Sequence, residues 1–317
     1  MTQATRIHAD LVGLLRGVRE GTPQVSGNLT VVPLFGPLSG PALVGLAEAV
    51  LAGQVEITEA SEGGTVNEIR IRNLGDSPVF IVEGDELRGA KQNRITNTSL
   101  LVSPRTEVRV PASCIEAGRW RYREKGFHTT GRSSHYSMRA SKTTSVNQSL
   151  RRTGSYVGNQ SKVWTEVTRY LTEREVCSDT SCLSDAYDRD GGTIEERIGA
   201  IRPEADQVGL AVYVNGHFAG MDLVGRPEVY ARLHDRFVRA GAAEAISRTR
   251  ERVHARRATA PAILRRLEGS TEGRFASPGV GVDVRLEARG LVGTALVVEG
   301  EVVHLTTFPA PLDGGRS

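Results

Sequence analysis

The chain has 317 residues, of which 39% are hydrophobic and 24% are charged, and this composition excludes disordered and fibrous proteins. The net charge of +3 is too small to indicate a nucleic-acid partner by itself. No apolar run reaches the length of a membrane span, and residues 1–8 lack a signal-peptide core. We therefore expect a cytoplasmic protein whose three cysteines stay reduced.

Apolar periodicity predicts that the first part of the chain is rich in strands. An amphipathic helix is expected over 9–19 and a second helix over 41–52. The strand patterns lie at 29–34, 55–58, 66–71, 78–82, 99–102 and 107–110. Short connections between them favour antiparallel pairing.

A polar segment then interrupts the pattern. Between 126 and 159 the residues are mainly Ser, Thr, Gly, Asn and Arg, which predicts an irregular loop, either disordered or functional. The overlapping stretch 119–152 holds nine Lys or Arg residues and one acidic residue, Glu124. This excess of positive charge suits a phosphate-bearing ligand or a nucleic acid, and a solvated loop is the alternative.

The last part of the chain mixes helices with strands. Helical stripes occur at 161–171 and at 226–240, where Pro227 lies in the first turn. Asn215-Gly216 predicts a hairpin between the strands at 208–214 and 218–224. Alternation returns at 282–286, 291–298 and 302–308.

These elements predict an α+β fold with mixed, largely antiparallel sheets and flanking helices. We expect one unit over 1–317. Its subdivisions are a strand-rich part at 1–125, a polar loop at 126–160 and an α+β part at 161–317.

Charged and amide side chains crowd together directly after the strand at 78–82. Three carboxylates, Glu83, Asp85 and Glu86, lie within four residues and are candidate general bases. Asp85 and Glu86 are also candidate ligands of a divalent metal. The candidate ligand-binding residues of this stretch are Lys91, Gln92, Asn93, Arg94 and Asn97.

The chemistry of these side chains suggests their roles. Lys91 and Arg94 would hold phosphate groups, and the amides would orient a sugar or a base. Residues 92–99 are polar on both faces, which indicates either a ligand site, a buried network or an exposed edge strand.

A second cluster follows at Ser113–Trp120. Cys114 is a candidate nucleophile if Lys91 or Arg94 lowers the pKa of its thiol, and a small buried hydrophobe if not. Glu116 is a further candidate catalytic carboxylate, and Arg119 a candidate phosphate ligand. Trp120 would stack on a base or a sugar, or else fill the core.

The motifs EGDELRGAKQNR (Glu83–Arg94) and SCIEAGRW (Ser113–Trp120) resemble a prokaryotic family named for its association with ADP-ribosylglycohydrolases and the rhodanese-phosphatase superfamily. The resemblance runs over about 21–310 and includes the hairpin VGLAVYVNGHFAGMDL. It implies a role near NAD or ADP-ribose metabolism. The positions that it carries over are Glu83, Asp85, Glu86, Lys91, Gln92, Asn93, Arg94, Cys114, Glu116 and Arg119.

Three functions stay open at this point. The first is binding or processing of an ADP-ribose-like or other phosphorylated nucleotide, which as an enzyme would be a hydrolase or transferase. The second is a sensor without catalysis, or a protein that docks onto an ADP-ribosylglycohydrolase-type partner. The third is nucleic-acid binding through the basic 119–152 stretch.

Overall fold

Strands dominate the first third of the chain, as its alternating apolar residues predicted. The computed structural model describes residues 13, 15–61, 63–249 and 258–310. Its fold is a mixed α+β arrangement of mostly antiparallel sheets with helices, so the predicted fold class is confirmed. No helix in these ranges is both long and apolar enough to cross a membrane.

The strands fall into three sheets. The strands of the described residues are β1 (Arg19–Glu20), β2 (Gln24–Ser26), β3 (Leu29–Phe35), β4 (Val44–Gly45), β5 (Val55–Glu59), β6 (Glu68–Asn73), β7 (Val79–Ile81), β8 (Asp85–Gly89), β9 (Arg94–Thr96), β10 (Leu100–Val102), β11 (Glu107–Cys114), β12 (Phe127–Ser133), β13 (Gly209–Val214), β14 (His217–Val224), β15 (Thr271–Ala276), β16 (Val282–Ala288), β17 (Leu291–Val298) and β18 (Glu301–Pro309). The nine-stranded sheet has the order β1-β3-β13-β14-β18-β17-β16-β15, with β2 paired to β3. A six-stranded sheet runs β12-β8-β9-β11-β6-β5, and a three-stranded sheet runs β10-β7-β4.

Seven helices of the described residues pack against these sheets. They are α1 (Leu46–Leu51), α2 (Tyr136–Thr153), α3 (Gln160–Glu173), α4 (Leu183–Arg189), α5 (Gly191–Gly199), α6 (Pro227–Ser247) and α7 (Ala260–Leu267). The predicted helix at 226–240 is confirmed and extends to Ser247. Of the predicted helix at 9–19, residues 13, 15 and 16 are helical, whereas Arg19 belongs to β1, and residues 9–12 and 14 lie outside the described residues.

The nine-stranded sheet has a hydrophobic core on each face. Successive side chains of β13 alternate between them, because strand side chains point to opposite faces. Leu210 and Val212 join the core that contains Phe237 of α6. Ala211 and Tyr213 join the core on the other face. The six-stranded sheet, the three-stranded sheet and α1 enclose a third core.

The prediction of an irregular loop over 126–160 is wrong. This segment forms β12, then the eighteen-residue helix α2, and then reaches the start of α3. Its buried face escaped the sequence pattern because that face is partly polar, with Arg139, Lys142 and Asn147 all buried. Two of the cations that suggested a nucleic-acid loop therefore point into the interior.

Candidate functional site

Glu83, between β7 and β8, belongs to a buried ion cluster. Its Oε2 accepts a 3.0 Å hydrogen bond from Nε of Arg139, and its Oε1 contacts Nζ of Lys142. All three side chains are fully buried. Because both cations come from α2, the carboxylate fixes this helix against the sheets, and it has no exposed surface on which to receive a ligand.

Asp85 and Glu86 are adjacent residues of β8, so their side chains point to opposite faces of the sheet. Asp85 pairs with Arg236 of α6, whereas Glu86 accepts a 2.7 Å hydrogen bond from Thr130 and another from Ser184. The two carboxylates therefore do not converge on one metal ion, contrary to the expectation. No group of three potential metal ligands occurs among the described residues.

Arg94 and Cys114 lie opposite each other on β9 and β11, and a guanidinium nitrogen of Arg94 contacts the Cys114 sulfur. Arg94 also donates to the carbonyl oxygens of Val66 and Thr65, at 3.1 and 3.2 Å. Burial raises the pKa of Cys114 to about 11, although Arg94 opposes this shift. The thiol is therefore protonated at neutral pH, which argues against the expected nucleophile.

The strand β9 is not an edge strand, since it pairs with β8 on one side and β11 on the other. Its polar neighbours are buried and serve a hydrogen-bond network. Gln92 donates to the Glu116 carbonyl at 2.8 Å, and Asn97 donates to the Tyr156 carbonyl at 3.0 Å. The alternative of an exposed edge at 92–99 is wrong, and a buried network is present.

Part of the two predicted clusters does converge on one concavity. A cavity of about 610 Å³ lies between the 119–123 segment and the 177–188 segment. Asn93, Glu116 and Arg119 are the predicted residues that line it. Because Arg88, Arg119, Arg121 and Arg123 also border it, we call it the arginine cavity. The predicted residues outside its lining are Glu83, Asp85, Glu86, Lys91, Gln92, Arg94, Asn97, Cys114 and Trp120.

Ion pairs neutralise the floor of the arginine cavity. Arg119 binds Glu116 through two hydrogen bonds of 2.8 and 2.7 Å and donates to the Ala90 carbonyl at 2.7 Å. Burial alone would raise the pKa of Glu116, but the hydrogen bonds from Arg119 and other donors more than offset this and lower it. Arg88 likewise binds Asp188 at 2.8 and 2.9 Å. These charges are already matched within the protein.

The two walls of the cavity carry opposite charge. On one wall Arg121 and Arg123 are exposed, and neither guanidinium makes an ion pair within the described residues. On the other wall Asp179 and Asp185 are exposed. A direct contact sets the spacing of the walls, because the Gly118 N–H donates to the Thr180 carbonyl at 2.8 Å.

Asn93 organises a second part of the floor. Its Nδ2 donates to the Cys182 sulfur at 3.3 Å and to the Ser184 hydroxyl at 3.1 Å. Ser184 in turn donates to Glu86. Burial raises the pKa of Cys182, so this thiol is protonated at neutral pH. Sequence reasoning missed the 177–188 wall, because its contacts with the predicted residues, such as that between Ser184 and Asn93, join positions far apart in the chain.

A further polar cluster that sequence reasoning missed lies in the interior. His304 of β18 bridges Ser99, whose hydroxyl is 2.9 Å from Nδ1, and Asp222, whose carboxylate is 3.1 Å from Nε2. Asp222 also binds Arg139. These side chains are all buried, and the cluster ties α2, the nine-stranded sheet and the segment before β10 together.

The comparisons with known proteins agree with the resemblance noted in the sequence. Residues 17–308 match the model of ARPP-1, the ARG and Rhodanese-Phosphatase-superfamily-associated Protein domain. This family is associated with ADP-ribosylglycohydrolase and rhodanese-phosphatase contexts. The comparisons with curated proteins and with solved structures gave no match. Since the matched region spans nearly the whole chain, the protein belongs to the ARPP-1 domain family.

Proposed function

We propose that this protein binds a phosphorylated nucleotide of the ADP-ribose type in the arginine cavity. The observation that carries the proposal is the pair Arg121 and Arg123, two exposed cations on one wall without a carboxylate partner among the described residues. Such guanidinium groups bind phosphate oxygens in bidentate fashion. A cavity of about 610 Å³ suits a ligand of nucleotide size.

The opposite wall complements the sugar part of such a ligand. Carboxylates such as Asp179 and Asp185 accept hydrogen bonds from hydroxyl groups. In ADP-ribose the pyrophosphate lies between two riboses, so its phosphates would contact the arginine wall while the hydroxyl groups of one ribose reach the acidic wall. An anion without hydroxyl groups would use the arginine wall alone and would be repelled by the acidic one.

Binding is better supported than catalysis. Glu116 is committed to Arg119, and the Cys182 thiol is protonated, so neither is ready to act as base or nucleophile. One observation favours a second candidate, a hydrolase or transferase of NAD or ADP-ribose metabolism. Ser184 lines the cavity and donates to Glu86, so this carboxylate, which lies outside the lining, is placed to act as general base on the Ser184 hydroxyl.

We further propose that the protein acts in the cytoplasm, together with an ADP-ribosylglycohydrolase-type partner. All three cysteines are free thiols, as a cytoplasmic protein would keep them. The family association suggests an ADP-ribosylglycohydrolase-type partner, which would release the ADP-ribose that this cavity binds. Co-purification of the two proteins from cells that express both would support this pairing.

The test is a thermal-shift titration with ADP-ribose, ADP, ribose 5-phosphate and pyrophosphate, with and without Mg²⁺. A ligand at one hundred times its Kd stabilises the folded state by about 2.7 kcal/mol. The double variant Arg121→Ala/Arg123→Ala should lose the shift while keeping its melting temperature without ligand. Arg152→Ala, which removes an exposed arginine outside this cavity, is the matched control.

Two outcomes test ligand binding and distinguish a sensor from an enzyme. No shift with any of the four compounds would contradict the binding proposal. Release of a product from ADP-ribose by the wild type, but not by Ser184→Ala, would establish the enzyme over the sensor. Glu86 and Arg94 are unsuitable test positions, because both are buried and their replacement would change the stability of the fold.

A further inference from the structure

An aromatic side chain lies between Arg121 and Arg123, the two exposed arginines of the cavity wall. Tyr122 is 49% exposed and lines the arginine cavity together with Arg121 and Arg123. The other exposed large hydrophobic residues of the described chain, which include Trp120 and Trp164, do not line this cavity. The sequence predicted Trp120 as the stacking residue, but Tyr122 lines the cavity and Trp120 does not.

The Tyr122 ring contacts the cation of Lys91, which does not line the cavity. Nζ of Lys91 lies 5.0 Å from the centre of the Tyr122 ring and 5.5 Å from that of Trp120. The Trp120 ring in turn lies 5.6 Å from the guanidinium of the buried Arg94. Lys91 is itself fixed by a 2.6 Å hydrogen bond to the Gly63 carbonyl. Cation–π contacts of this kind order a side chain that would otherwise be free to rotate.

The restricted rotation of the Tyr122 ring favours the binding of a flat ligand. A ring that is already fixed loses little conformational entropy when a flat ligand stacks on it. Phosphates and sugars offer no aromatic face to such a ring, whereas every nucleobase does. Arg121, Tyr122 and Arg123 line the same cavity, which has the size of one nucleotide, so one ligand can contact both the cations and the ring.

We infer that Tyr122 forms a nucleobase-stacking subsite of the arginine cavity, with its phosphate contacts supplied by Arg121 and Arg123. This inference rests on the proposed function and names the part of the ligand that the proposal leaves open. The preferred ligand is a nucleotide with its base attached, rather than a sugar phosphate or pyrophosphate. Trp120 and Lys91 position the tyrosine without touching the ligand.

The experiment is calorimetric titration of the full chain with ADP and with pyrophosphate. The wild type should bind ADP more tightly than pyrophosphate. Tyr122→Ala should weaken ADP binding about tenfold or more, since base–aromatic stacking has that magnitude. The same variant should bind pyrophosphate as the wild type does. Tyr122→Phe should retain wild-type affinity for ADP, and Trp164→Ala, which removes an exposed ring elsewhere, should change neither affinity.

The outcomes separate the inference from the proposed function. If the wild type binds pyrophosphate and ADP equally, or if Tyr122→Ala weakens both alike, the stacking subsite is refuted and the phosphate cavity stands. If the wild type binds neither compound, the proposed function fails and the inference fails with it. If Tyr122→Phe behaves like Tyr122→Ala, the hydroxyl and not the ring would be responsible, which also overturns the inference.

Discussion

Arg139 donates a 3.0 Å hydrogen bond from its Nε to Oε2 of Glu83, and neither side chain is exposed to solvent. The residues are 56 positions apart in the chain. Through Asp222, the same guanidinium also reaches the nine-stranded sheet. Glu83, the first residue of the EGDELRGAKQNR motif, is therefore an internal counter-ion for α2. Through Arg139, it is linked to Asp222 of the nine-stranded sheet.

Replacing Glu83 should destabilise the fold strongly. In Glu83→Gln the cations Arg139 and Lys142 would stay buried without their counter-ion, and breaking such a pair costs about 3–5 kcal/mol. The measurement is the free energy of unfolding from urea denaturation. Asp76→Asn is the control, because Asp76 pairs with Arg105 on the surface and its loss should cost no more than about 0.5 kcal/mol. Equal effects of the two substitutions would contradict the buried cluster.

Lys142 gives the cluster a pH dependence. Burial lowers the pKa of this lysine to about 8, from 10.5 for a solvated lysine, although Glu83 opposes the shift. Between these two values the unfolded chain binds more protons than the folded one, so the free energy of unfolding rises with pH. Relative to Lys142→Met, the wild type should gain about 2 kcal/mol between pH 7 and pH 9.5. A difference in unfolding free energy that stays constant with pH would refute this.

The cysteines should differ in their reactivity. Cys177 is exposed, whereas Cys114 and Cys182 are buried thiols with raised pKa values. Because the thiolate is the species that reacts, iodoacetamide at pH 8 should modify Cys177 first. The other two should react at comparable rates only after denaturation, as followed by mass spectrometry. Modification of native Cys114 as fast as Cys177 would reopen its assignment as a nucleophile.

The contact between the cavity walls can be tested at a glycine. A Cβ on Gly118 would lie 2.9 Å from the Thr180 Cα, so Gly118→Ala should push the walls apart. We expect a loss of about 1–3 kcal/mol in stability and weaker ADP-ribose binding. Gly192→Ala is the matched control, since a Cβ there meets nothing within 4 Å and α5 should gain up to about 1 kcal/mol. Full affinity in Gly118→Ala would show that this contact does not shape the site.

The turns and helix ends that one or two residues determine were predicted best from the sequence. Asn215 and Gly216 both have positive φ, of 53° and 79°, as the predicted hairpin turn requires. Pro227 lies at the start of α6, where its fixed φ suits a helix. Such signals are readable because one or two residues determine the local conformation.

The polar interior could not be read in the same way. The helix α2 was hidden because its buried face carries Arg139 and Lys142, which look like surface residues until their partners are known. The charged residues of the 83–94 motif likewise predicted a binding site, because their partners within the protein are not visible in the sequence. Most of these side chains instead form ion pairs and hydrogen bonds inside the protein. The cavity wall at 177–188 was missed because Asn93 and Ser184 meet only in the fold, 91 positions apart.

A crystal structure of the protein grown with saturating ADP-ribose would show directly whether the arginine cavity binds this ligand. We expect ligand density between the 119–123 and 177–188 segments, with phosphate oxygens in hydrogen-bond contact with Arg121 or Arg123. Ligand density at another surface would contradict the proposed binding site. An empty arginine cavity would contradict it too, provided that the ligand is saturating and that crystal packing leaves the cavity open to solvent.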